Sequence, residues 1–575
     1  MKCYFCRSVK SEKIHKFNIL MKRLKRKSII ILSAILLSGF AFMGLNNVDN
    51  KNFEIAKNLD IYYSLFRELN TFYVDEVDPG KLVKESIDDM LSSLDPYTNY
   101  IPESDIEDFR FMTTGEYGGI GALIAKHGDE IIISEPYEGF PAHKSGLMAG
   151  DVILEVEGKS TEKMTTEDVS NLLKGSVGQT IKVKIKRFGQ KKLMDVDIVR
   201  EKITIDPVSY YGMLNSETGY IHLSSFTKDC AEKVKKAMLD LKEAKGAKSL
   251  ILDLRGNPGG LLVESVNLCN LFIGKDMEVV STKGKVKEWD KVYKTTGNPV
   301  DTEIPLVVLV NRGSASASEI VSGTMQDLDR AVIIGTRTFG KGLVQTTRDL
   351  SYNSKLKVTT AKYYIPSGRC IQALDYSHRN EDGSVGHVPD SLITQFSTKN
   401  GRKVYDGGGV MPDIKIEDEE VSNLTVSLIR DFKLFDFATK FRSENQTIAS
   451  VDNFEITDAI YNDFISFVES SNFTYTSETQ KKLKELRETA KEEKYLDFAD
   501  SQIAELEKSL APDLDRDLLK FRPEVSDLLK SEIVSRYYYQ VGSVKASISK
   551  DKSVEKALTI LANSDEYKKI LQQSK

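Results

Sequence analysis

The period of the apolar positions changes several times along the chain, and each change marks an element. From residue 52 to about 105 the spacing is helical: Ile55, Leu59, Tyr62, Leu65 and Phe66, then Leu82, Ile87, Met90 and Leu91. LDPYTNYIP closes that stretch in a proline-marked turn. Farther along, GYIHLSSF (Gly219 to Phe226) predicts a strand, and Ala231, Val234, Ala237, Met238 and Leu241 predict an amphipathic helix. LILDLRG is the next predicted strand, and GNPGG turns from it into the apolar helix LLVESVNLCNLFI. Two continuous apolar runs, Leu306 to Val310 and Ala331 to Ile334, read as fully buried strands. Strands alternating with helices predict an α/β core with helices packed on a sheet. Beyond about 416 glycine falls and charge rises. SETQKKLKELRETAKEEKYLDFADSQIAELEKSL there predicts long surface helices with i,i+4 ion pairs, and SRYYYQVGSVKASISKD an aromatic patch that docks on the core.

At 575 residues the chain is too long for one core, and three to four domains are expected. A hydrophobic share of 40% and a charged share of 29% describe an ordinary globular protein. A net charge of −5, with no basic domain, argues against a nucleic-acid partner. Five cysteines make no disulfide framework. Cys3 and Cys6 form a CxxC without a second pair, so no zinc site or other metal is expected. From Met21, basic MKRLKRK precedes the uncharged run Ser28 to Leu45, which predicts a secretory signal or an uncleaved membrane anchor within residues 1–48. The start at Met1 or Met21 stays open, and the body of the protein is expected in the cell envelope or periplasm.

The chemistry concentrates between Pro305 and Gln345. Ser316 stands where a buried strand passes through a small-residue turn into a helix, and Lys341 follows the second apolar strand in a glycine-flanked loop. A serine hydroxyl needs a base, and a lysine serves if burial lowers its pKa. Helix-start N–H groups beside the serine suit an oxyanion. A second reading fits the same residues: Ser316-Ala317-Ser318-Glu319 matches a capping box, with Ser316 a plain N-cap. Glycine-rich YGGIGALI, with Gly118, Gly119, Ile120 and Gly121, is either a tight turn or a cradle of N–H groups for a carboxylate. None of the six histidines has the neighbours of a His/Asp/Ser set, and His222 reads as a structural strand residue.

The segments GSASASEI, Asp327, TFGKGLVQ, DLRGNPGG, TTAKYYIPSGRCIQ and GGGVMPDI together resemble the carboxy-terminal processing peptidases, the tail-specific Ser/Lys proteases. The likeness covers roughly residues 55 to 415 and weakens beyond. YGGIGALI and EGFPAHKSGLMAGDVILEVEG resemble a PDZ domain. The resemblance implies Ser316 as nucleophile, Lys341 as base and Gln345 as the residue that orients the lysine. It also implies backbone N–H groups near Gly259 and Ala317 as the oxyanion hole, although GNPGG fits a plain helix-entry turn as well. The implied organisation is multidomain α/β. A signal or anchor (1–48) leads a helical segment (49–105), an inserted β-rich PDZ domain (106–190), the Ser/Lys protease core (191–415) and a helical extension (416–575). The implied activity is endoproteolysis of proteins with exposed C-termini, recognised through the PDZ domain, without cofactor. Alternatives are an inactive PDZ scaffold and a tail-binding, chaperone-like module. Relatives associate through the first helical segment, so a homodimer is expected, as is membrane association through the apolar N-terminus. Asp327 reads as helix-end support, and Asp253 as an ion-pair partner of Arg255.

Overall fold

The computed structural model describes residues 51–572 apart from 381 and 418–420, so the expected signal or anchor and the CxxC lie outside the described residues. The described residues divide into two compact units at Met90 and Leu91. In the first, a helix over 51–72 is followed by the helix Pro79–Ser92, with Tyr62 Oη donating to Ser86 Oγ at 2.9 Å. Phe53, Ile55, Leu59, Leu65 and Phe72 stay exposed on the longer helix. No helix of the described residues is long and apolar enough to cross a membrane.

The second unit is built around a six-stranded sheet. Its order is Val208–Met213, Thr218–Leu223, Ser249–Asp253, Leu306–Val310, Val332–Gly335 and Ile414–Lys415. The first pair is antiparallel and the rest are parallel. Such a sheet must be covered on both faces. Leu306, Val308 and Val310 point into a core shared with the helices Cys230–Leu239, Leu262–Cys269 and Ala317–Asp327. Val307 and Leu309 point the other way, onto Ile548, Val554, Ala557, Ile560 and Tyr567. The C-terminal helices are therefore the second layer of the α/β core. Tyr567 Oη fixes them to it by accepting from the Leu306 N–H at 3.0 Å. In the predicted aromatic segment Tyr537 and Tyr538 donate to the Asn445 and Ala449 carbonyls within the helical extension, Tyr539 meets His143 edge-on, and Ile548 packs on the core sheet. That extension has its own core around Phe437, Tyr461, Phe464, Leu529 and Ile533, so it is more than an array of surface helices.

Two expected boundaries shift. The strand Met194–Val199 pairs with Thr180–Lys186 in the PDZ sheet, and Glu201–Thr204 pairs with Glu116–Gly119. The PDZ fold thus continues past 190, because its last strand completes the sheet over Ile181, Val183 and Ile185. At the other end, Asn99–Ile101 does not belong with the helical segment. It pairs with Lys355–Tyr364 in a second sheet that also carries Leu343–Asp349.

Candidate active site

Three serines alternate in Ser314-Ala315-Ser316-Ala317-Ser318, and two are committed. Ser314 Oγ donates to the Leu254 carbonyl at 2.8 Å and Ser318 Oγ to the Asn257 carbonyl at 2.9 Å, which pins this turn against the DLRGNPGG loop. Ser316, between them, is held at φ 55°, ψ −112°, a left-handed conformation that a serine occupies only under constraint. Its N–H donates to Glu319 Oε2 at 2.8 Å, and the Glu319 N–H donates to the Ser316 carbonyl at 2.9 Å. The capping box predicted for Ser316 and Glu319 is thus present, with Glu319 reaching back to the Ser316 N–H.

Glu319 ties the two halves of the site together. The oxygen that takes the Ser316 N–H also takes the Lys341 N–H at 2.9 Å. Its other oxygen accepts from Thr338 Oγ1 at 2.6 Å and the Gly340 N–H at 2.7 Å. Burial pushes this carboxyl up to about 7, although all four donors favour its charged form. The sequence showed Glu319 only as a capping-box residue; its bonds to the lysine loop depend on packing that no spacing reveals.

Lys341 rides on a loop clamped from the far side. Gly342 N–H donates to Gln372 Oε1 at 2.7 Å, and Ala373 N–H to the Gly340 carbonyl at 2.9 Å. A Cβ on Gly342 would stand 2.8 Å from Gln372 N, so the flanking glycine permits the close approach. Burial, reinforced by Lys357, draws the Lys341 ammonium down to about 8 against the pull of Glu319 and Asp95. Nζ lies over the Tyr97 ring, 4.1 Å from its centroid. Among the described residues no hydrogen bond joins Nζ to Ser316 Oγ or to Gln345. Gln345 Nε2 instead donates to Thr359 Oγ1 at 3.1 Å. Asp95, Tyr97 and Lys357 went unread because they enter from a turn and a strand distant in sequence.

The expected oxyanion residues come together in part. Gly259 sits at φ 96°, where a Cβ would stand 2.8 Å from Ser316 Cβ and 2.9 Å from Ala317 N. Its own N–H, however, donates to Asn257 Oδ1 at 2.9 Å. Beside this centre, Leu262, Val263, Val286, Trp289, Tyr293 and Val344 line an apolar groove of about 500 Å³.

Other residues lie apart from this chemistry. His222 Nδ1 bonds Ser209 Oγ at 2.5 Å. Asp253 pairs with Arg255, which also reaches Asp551 in the C-terminal layer at 2.5 Å. Asp327 is buried against Arg369 at 2.8 Å. In the PDZ domain Gly118 and Gly119 end the strand Glu116–Gly119 rather than forming a loop, and Ile120 and Gly121 alone link it to the edge strand Ala122–His127. The Ile120 carbonyl is tied to the Ala142 N–H and the Gly121 carbonyl to the Tyr137 N–H. The Tyr117 ring covers Gly119, and its phenol faces the Gly121 N–H.

A PDZ domain joined to an α/β core with a strained serine at a strand–helix junction defines a serine-type peptidase that reads protein ends. Peptidase family S41 matches residues 217–377, a PDZ domain matches 110–186, and a helical domain described as "Probable PDZ-protease, C-terminal helical domain" matches 424–561. A carboxy-terminal-processing protease of Bartonella bacilliformis is 35% identical over 374 residues, covering 64% of this chain and 83% of that one. A probable CtpA-like serine protease of Staphylococcus haemolyticus is 34% identical, covering 66% of this chain and 76% of its own length. Among solved structures, the photosystem II D1 C-terminal processing protease is 29% identical over 62% of this chain and 92% of that one, with a TM-score of 0.34. This chain belongs to the carboxy-terminal-processing proteases of peptidase family S41. As a carboxy-terminal-processing protease it acts on proteins, and it carries a PDZ domain.

Proposed function

We propose that Ser316 is the nucleophile of this protease and Lys341 its general base. The observation that carries the reading is the shared Glu319 carboxylate, which fixes the backbone of serine and lysine through one oxygen. The hydroxyl attacks the scissile carbonyl as Lys341 takes its proton, and the ammonium then returns a proton to the leaving amine. Ala317 N–H is the oxyanion donor, joined by Gly259 N–H when it shares its bond with Asn257. Gln345 braces the lysine loop through Thr359 and rotates toward Nζ during turnover. Exposed C-terminal tails dock at Gly118, Gly119, Ile120 and Gly121 by adding a strand to the Ala122–His127 edge. Cleavage falls upstream, with an apolar side chain seated in the Trp289 groove. The protein works in the cell envelope, exported or held by its N-terminal apolar segment, as a homodimer paired through the exposed face of the helix over 51–72.

The test is cleavage of an unfolded reporter bearing an apolar C-terminal tail. Ser316→Ala and Lys341→Ala are expected to bind the tail as wild type does and to cut it at least about a thousandfold more slowly. A Lys341→Ala variant that cuts at the wild-type rate removes the lysine from the mechanism.

A further inference from the structure

The ring beneath Lys341 is itself built into the site. Asp95 Oδ1 accepts the Tyr97 and Thr98 N–H groups at 2.8 and 2.9 Å, and Asp95 Oδ2 accepts Thr98 Oγ1 at 3.0 Å. Thr98 Oγ1 in turn accepts the Thr359 N–H at 3.1 Å, and Thr359 Oγ1 is the partner of Gln345. Immediately after the turn, Asn99 registers against Lys357 on the same strand. The Tyr376 ring meets Tyr97 edge-on, with centroids 6.0 Å apart. Tyr97 is thus locked to the strand that also carries the Gln345 contact.

We propose that Tyr97 is the positioning residue for the base, its aromatic face seating the Lys341 ammonium between the two proton transfers. The inference rests on the Ser316 and Lys341 reading. When Lys341 takes the serine proton it becomes a buried cation beside Lys357, and it must keep that proton until the amine leaves. A ring face attracts an ammonium and leaves a neutral amine almost alone, and it cannot take the proton for itself. The charged and titratable groups facing Lys341 divide clearly. Lys357 repels it from the neighbouring strand, while Glu319 on the helix and Asp95 in the turn attract it. Both oxygens of Glu319 are filled by four other donors, and those of Asp95 by the turn. Tyr363 faces Glu319 and is kept neutral by burial, and the Tyr376 ring faces Tyr97. The Tyr97 face is the seat that remains.

The experiment measures kcat and KM across about two pH units either side of neutrality for the full chain, Tyr97→Phe, Tyr97→Leu and Lys341→Ala, with thermal unfolding as the folding check. Tyr97→Leu is expected to lose roughly tenfold or more in kcat at unchanged KM. Its ascending limb should move to lower pH, since apolar burial persists while the attraction for the ammonium is gone. Tyr97→Phe keeps the ring and should keep both the rate and the limb. Wild-type kcat with an unmoved limb in Tyr97→Leu overturns the proposal, as does equal loss in Phe and Leu variants with an unmoved limb. If Tyr97→Leu does not fold, Tyr97→Met supplies the same comparison. A Lys341→Ala variant that still cuts sinks the base assignment itself, whatever the Tyr97 variants do.

Discussion

Lys341 illustrates a conflict between chemistry and stability at one residue. In the unfolded chain its ammonium titrates near 10.5, whereas in the fold burial holds it at about 8. Below about pH 8 both states carry the charge and the folded state bears the penalty. Between about 8 and 10.5 the unfolded state binds more protons, so stability rises with pH. Allowing for partial exposure of the side chain, the penalty at neutral pH is on the order of 2 kcal/mol. Lys341→Met is therefore expected to raise the melting temperature at pH 7 while abolishing cleavage. Its stability should also lose the climb between pH 8 and 10.5 that wild type shows in denaturant titrations. Activity should follow the same titration, with wild-type kcat/KM rising through pH 8 as the amine becomes available. At this scale the sequence offered Ser316 and Lys341 as the candidate pair, because each stands in a short, distinctive string. Glu319, Asp95 and Tyr97 were opaque, since each acts through a contact made across the fold.

Among the elements, the GNPGG turn carries the tightest geometric demand. Gly259 combines φ 96° with a Cβ position already claimed by the Ala315 carbonyl at 2.6 Å and Ser316 Cβ at 2.8 Å. Gly259→Ala must push the serine turn away, and a shift of about 1 Å costs about a hundredfold in rate. The expected result is kcat/KM down by about that factor with tail affinity unchanged, measured by peptide titration alongside turnover. Unchanged turnover would mean that the turn does not set the position of Ser316. The buried strands were legible because LVVLV is apolar on both faces, as a covered parallel strand must be. The PDZ boundary was not. Met194–Val199 alternates apolar and polar residues like any half-buried strand, and only pairing assigns it to the PDZ sheet.

Across the whole molecule, the helical extension was the part least readable from its sequence. Its charged segments predicted surface helices of a packing, capping or partner-binding region, and Val554, Ala557 and Ile560 cover the core sheet opposite the helix that Ser316 starts. Periodicity shows that a helix has an apolar face but not which surface that face meets. Ile560→Ala is expected to cost about 2–5 kcal/mol and to lower the denaturation midpoint of the protease core. Leu506→Ala, on an exposed helix, should stay within about 0.5 kcal/mol. Equal effects at the two positions would remove the extension from the core.

That second layer also sets the order of events during synthesis. A chain emerges N-terminus first, so the strands and helices bearing Ser316 and Lys341 leave the ribosome long before Lys552–Ala562 and Ser564–Ile570 exist. Until those helices arrive, one face of the central sheet is bare and Arg255 has no Asp551 to hold. The nascent chain then carries Ser316 and Lys341 without a finished platform beneath them. The sheet that carries Ser316 on one side is therefore completed only once Lys552–Ala562 and Ser564–Ile570 have packed on the other.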